Sequence, residues 1–127
     1  MYIDRVLITE SFQMSFSDGF FIIMVIAVLF DYMTGVASAV KRRDLSSKIG
    51  SNGLIKHSIM IILAFTIVTI SYATSTQPIG YLIIIAYLLQ YTISVMENLE
   101  AIGLPVPKWV KKYIRTMRDK SDNNKLI

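Results

Sequence analysis

Ten consecutive apolar residues, Phe21 to Phe30, run directly into an aspartate, Asp31, and no other feature of this 127-residue chain constrains its fold as strongly. The uncharged stretch extends on both sides, from Gly19 to about Val40, apart from Asp31 itself. About 20 helical residues rising about 1.5 Å each cross about 30 Å of hydrocarbon, so this segment is long enough to span a bilayer. An acid near mid-span costs about 2.5 to 3.5 kcal/mol on insertion scales, which a run of Ile, Val, Phe and Leu offsets at about 0.3 to 0.6 kcal/mol each. Asp31 is thereby expected to be protonated or paired, and to face other helices or water rather than lipid. Gly35, Ser38, Ala39 and Arg42 follow it at helical spacing on one face, with Thr34 beside them. Gly35 and Ala39 form a small-xxx-small pair that lets backbones approach.

Two further apolar stretches follow. Leu54 to Ala73 predicts a second span, with Asn52 as its cap and the Ser- and Gly-rich run Ser46 to Gly53 as a turn-rich connector before it. Thr74 to Gln77 is too short to separate the next helix widely, so the second and third spans are expected to be antiparallel neighbours. Pro78 suits the first position of that third helix, and Gly103-Leu104-Pro105 terminates it. Its hydrocarbon-spanning part is placed at about residues 78 to 98. Tyr87, Gln90, Tyr91, Ser94, Glu97 and Asn98 recur along it at spacings of three and four, a second polar face to match that of Asp31.

The flanks are different in character. Residues 1 to 18 mix apolar side chains with Asp4, Arg5 and Glu10, and predict an external segment able to form an interfacial helix, ending at Asp18 as a helix cap. No cleavable signal peptide is expected there. Residues 105 to 127 form a basic tail. In it Trp109, Val110, Tyr113, Ile114 and Met117 share one helical face, while Lys108, Lys111, Lys112, Arg115 and Arg118 supply the charge. That pattern suits an anchor on anionic lipid, better than nucleic acid, because a bilayer lies a few residues away. Ser121 to Ile127 reads as disordered.

Hydrophobic residues make up 54% of the chain and the mean hydropathy is +0.53, both in keeping with an all-α integral membrane protein of three spans. Five Lys and Arg lie between the first two spans, seven follow Pro107, and none lies between the second and third. The positive-inside rule then puts the N-terminus out and the C-terminus in. Cysteine is absent and His57 is the sole histidine, which leaves no thiol chemistry, no His-based metal site and no catalytic triad. His57 itself reads as an interfacial residue. Ser38-x-x-Lys41 has the spacing of a catalytic pair but none of the accompanying elements. Neither an enzyme nor a bound cofactor is expected.

Two blocks carry a resemblance. One is Asp31-Tyr32-Met33-Thr34-Gly35, then Ala39, the basic run, Ser46-Ser47, Gly50, Gly53-Leu54 and Lys56; the other is Glu97-Asn98 followed by Gly103-Leu104-Pro105 and Pro107. In order and spacing they resemble the bacteriophage holin family, including its toxin-secretion members, over roughly Gly19 to Trp109. That resemblance implies a protein of the bacterial cytoplasmic membrane that assembles with copies of itself and permeabilises the membrane. A partner endolysin, or a secreted toxin, would then pass. His57 stands where the family pattern favours a basic residue, and Ser71 to Ser75 lacks the acid found there in many members, so gating is where this chain departs. An antiholin or a non-permeabilising subunit of a membrane complex is the alternative role. A small proton-coupled transporter using Asp31 as carrier is a further one.

Overall fold

The computed structural model describes residues 4–125. The sequence expectations for Tyr2 and Ile3, and for the last two residues of the tail, lie outside these. Five helices follow in order: α1 (Arg5–Phe16), α2 (Gly19–Lys41), α3 (Ser47–Ala73), α4 (Gln77–Ala101) and α5 (Lys108–Lys125). Three of them, α2, α3 and α4, are long and apolar enough to cross a membrane.

The three long helices pack up-down-up around a thin core of Phe21, Met24, Val28, Ala64, Val68, Ile84 and Tyr91. Only 11% of the apolar stretch of α3 is buried within the chain, so most of its surface is left for lipid or for other chains. α1 leans mainly on α3. Ser15 Oγ bonds to Thr69 Oγ1 at 2.9 Å, and Phe12 and Phe16 pack on Phe65 with ring centroids 4.9 and 4.7 Å apart.

All three spanning helices end in the same way. The residue after the C-cap takes a left-handed conformation (Arg43 at φ 55°, Ser75 at φ 55°, Gly103 at φ 85°). The next backbone N–H then bonds back to the third-last helical carbonyl: Asp44 to Ala39, Thr76 to Ser71, Leu104 to Leu99, at 2.9 to 3.0 Å. These are Schellman closures, which satisfy carbonyls that the helix would otherwise leave bare.

Two boundaries differ from the sequence expectation. α3 starts at Ser47, not near Gly53: Ser46 Oγ accepts from the Ile49 N–H at 3.2 Å, so the cap is Ser46 and the expected connector is the helix's first turns. A serine cap outweighs the weak helix propensity of Gly50 and Gly53 behind it. The tail is helical through Lys125, where disorder was expected from Ser121. Charges of opposite sign four residues apart, Arg115 with Asp119 and Arg118 with Asp122, favour continuing it. Pro78, expected at the first position of the third helix, is the second residue of α4.

Candidate functional site

The polar residues of α2 and α4 meet inside the chain. Asp31 is 7% exposed, and Thr34, Ser38, Ala39 and Tyr91 are also buried. Helical spacing brings Asp31, Thr34 and Ser38 to the seam, and Asn98 crosses it from α4. The Asn98 Nδ2 group donates to Asp31 Oδ1 at 3.3 Å, to the Asp31 carbonyl at 3.5 Å and to Thr34 Oγ1 at 3.2 Å. Gly35 faces the same amide, and a Cβ there would lie in ordinary contact, 3.6 Å from Asn98 Nδ2. The Thr34 hydroxyl also turns back onto its own helix, 3.0 Å from the Phe30 carbonyl.

From the third helix His57 closes the cluster. Its Nε2 stands 3.7 Å from Asp31 Oδ2, and its Nδ1 is 3.3 Å from the Tyr91 hydroxyl. The arrangement suits an imidazole that carries its proton on Nε2 and accepts from Tyr91 at Nδ1. Tyr32 stands edge-on to the same ring, with centroids 5.7 Å apart, and Gly53 lets it approach. Asp31, His57, Tyr91 and Asn98 thus draw α2, α3 and α4 into one polar contact in an otherwise apolar bundle.

The other expected site residues lie around this centre. Tyr87, Ser94 and Gln90 line a recess of about 120 Å³ with Asp31 and Lys56. Gln90 is exposed on its outer side, and Glu97 is exposed too, facing Arg42, Glu100 and Arg118 instead of Asp31. In the tail, Lys108, Trp109, Lys112, Arg115 and Arg118 are exposed and Lys111 is half-buried. The apolar face of the tail is divided: Val110 and Ile114 are buried with Val106 against Met96 and Leu99, while Trp109, Tyr113 and Met117 stay exposed.

A second cluster, at the opposite end, is invisible in the sequence apart from its cap. Asp18 Oδ1 accepts from the Phe21 N–H at 3.0 Å, starting α2, and Oδ2 accepts from the Tyr72 and Tyr81 hydroxyls at 2.7 and 2.6 Å. Burial pushes this carboxyl up, but the hydrogen bonds from Tyr81, the Phe21 N–H and Tyr72 outweigh it and hold it below the usual carboxylate range. Nearby, a Cβ on Gly80 would fall 2.0 Å from Ser71 Oγ, so α3 and α4 cross here at glycine distance. The basic groups gather at the far end, where Lys41 Nζ reaches within 3.2 Å of a Cβ built on Gly103.

These features define a multi-pass helical membrane protein with a buried acid on its first long helix. The model of the Bacteriophage holin family matches residues 10–119, and the chain belongs to that family. It is 25% identical to a holin-like protein, TcdE, of Clostridioides difficile, over 76% of this chain and 69% of the relative. An uncharacterised 14.9 kDa protein of Clostridium perfringens is 28% identical, over 78% of this chain and 76% of that protein. A second uncharacterised protein, from strain 13 of the same species, is 25% identical over 78% and 75%. No solved structure matches.

Proposed function

We propose that this chain is a holin: copies assemble in the bacterial cytoplasmic membrane and open lesions through which an endolysin, or a toxin, leaves the cell. The observation that carries this reading is the Asp31 cluster, a buried acid held across the seam of a three-span chain of the holin family. Three helices are too few to enclose a pore wide enough for a protein, so permeation needs many copies. While the chains are packed in lipid, Asp31 is screened by Asn98 and His57. When the seam opens to water, the carboxylate is hydrated, and its charge favours the open assembly. The name of the Clostridioides difficile relative supports the same role, and family membership suggests a non-enzymatic one.

In this reading the N-terminus is outside and both basic regions are cytoplasmic, with α5 on anionic lipid through Trp109, Lys112, Arg115 and Arg118. The chain has no cysteine, so single cysteines report side cleanly. Ser17 and Ser75, both exposed, should label from outside in intact cells, and Ser51 and Ser121 should not. Outside labelling of Ser51 before lysis would reverse the orientation.

The function is tested by expression in a bacterium while membrane potential and dye entry are followed. A holin collapses the potential abruptly and stops growth. Silent accumulation in the membrane would instead fit an antiholin or a complex subunit, and saturable substrate movement without lethality would fit a transporter.

A further inference from the structure

At the basic end of the bundle a recess of about 290 Å³ opens between α2, the first turns of α3, and α4. Asp31, His57 and Asn98 form its inner end, and the exposed Leu45 and Ile49 its lip. Arg42 and Lys56 line it as well. Among the described residues neither cation has a carboxylate within ion-pairing distance. Asp31 does not offer one, because it is taken up by Asn98 and His57. Gly50 lines the recess from the first turns of α3.

Lys56 also borders a shallow, almost wholly apolar strip along the outside of α3, formed with Asn52, Ile55, Ile59 and Met60. The path from Arg42 past Lys56 to Met60 therefore runs from the basic end toward mid-span, and from polar to apolar. A lysine at this depth turns its ammonium toward the interface, and so toward Arg42. Arg42 also borders a recess with Glu97 and Glu100, but among the described residues neither it nor Lys56 is within ion-pairing distance of a carboxylate. Two such cations followed by an apolar strip have the profile of an amphiphile with a negative head.

We propose that this is a binding site for an anionic phospholipid, its phosphate between Arg42 and Lys56 and an acyl chain along Ile55, Ile59 and Met60. It rests on these helices spanning a bilayer, but not on the chain forming lesions. Basic pockets between spanning helices are a recurrent way of holding such headgroups. The lipid would tie α2 to α3 beside the Asp31 cluster, so that membrane composition bears on how firmly the seam is closed.

The test uses the full chain in neutral detergent, with native mass spectrometry of added phosphatidylglycerol or phosphatidylcholine. Phosphatidylglycerol should be retained and phosphatidylcholine lost, and glycerol phosphate at the same concentration should not compete. Arg42→Gln with Lys56→Gln should weaken retention on the order of 10-fold or more. Arg42→Lys should retain binding, as should the tail variant with Gln at 111, 112, 115 and 118. Helix content by circular dichroism should match the wild type throughout. Equal retention of both lipids, or loss only in the tail variant, would overturn the site. Full competition by glycerol phosphate would make it a phosphate site and overturn the lipid assignment.

Discussion

Two carboxylates on or beside the same helix are held in opposite ways. Asp18, at the start of α2, accepts three hydrogen bonds of 2.6 to 3.0 Å from a backbone N–H and two tyrosines on other helices. Asp31 is buried to the same degree, 7% exposed against 6% for Asp18, yet its side-chain partners stand at 3.3 and 3.7 Å. Hydrogen bonds weaken steeply at such lengths. The Asp18 end is therefore a clasp that joins α2, α3 and α4, and the Asp31 end is a seam that can be exchanged for other partners. In the proposed role, the Asp31 end is the one expected to rearrange and the Asp18 end the one expected to hold.

The largest effect is expected at the seam. Asp31→Leu inserts well but leaves the Asn98 amide without its carboxylate, and it takes away the charge that water would stabilise. The amide keeps Thr34 Oγ1 and the residue-31 carbonyl as acceptors, so the lost charge, with no polar group in its place, is what should remove activity, not an unpaired donor. At matched membrane levels, dye entry should be lost with Leu, while Asn, which keeps an acceptor for Asn98, should keep the lesion and shift its timing. Wild-type lysis by the Leu variant would make Asp31 a passenger.

Next comes the helix crossing beside the clasp. Gly80→Ala drives a methyl into Ser71, whose Cβ lies 2.9 Å from the new atom as well. Overpacking of this kind costs about 1 to 3 kcal/mol, read as a lower midpoint of thermal unfolding in detergent. Ser71→Gly in the same chain should restore it. A smaller loss, about 1 kcal/mol each, is expected for Tyr72→Phe and Tyr81→Phe, because interhelical hydrogen bonds in membranes average below their nominal strength. These variants should unfold earlier yet still permeabilise, the reverse of Asp31→Leu. Loss of lysis at unchanged stability would erase the distinction between the two ends.

The smallest effect is with pH. Because the folded Asp18 carboxyl lies below its usual range, its contribution is complete above about pH 4 and is lost as pH falls through the lower folded value. Below about pH 4 the unfolding midpoint of detergent-solubilised wild type should fall more steeply than that of the double Tyr72→Phe, Tyr81→Phe variant. Parallel acid curves would mean that the clasp contributes nothing.

How much of this could be read beforehand depended on whether the signal was local. The three long helices were legible because hydropathy is a local sum, and two polar faces were legible because Asp31 with Ser38 on α2, and Tyr91 with Asn98 on α4, sit at helical spacing; that the two faces meet was not. Asp18 was legible as a cap, but its tyrosine partners lie 54 and 63 residues away and carry no local mark. His57 looked like an interfacial residue until α3 was set against α2. The identical closures of α2, α3 and α4 show the same limit: the one with glycine and proline announced itself at Gly103, whereas Arg43 and Ser75 adopt the same left-handed backbone without a residue that signals it.

The contrast between clasp and seam is tested most directly by distances between α2 and α4 at each end, before and after permeabilisation. Paired cysteines at the exposed positions 19 and 79 report the Asp18 end, and pairs at 40 and 101 the opposite end. Both would carry spin labels, with labelled chains diluted in unlabelled ones so that only distances within a chain are seen. We expect the 19–79 distribution to be unchanged on triggering and the 40–101 distribution to shift. A membrane that becomes permeable while the 40–101 distances stay fixed, or while the 19–79 distances are the ones that move, would contradict the assignment of the Asp31 seam as the part that opens.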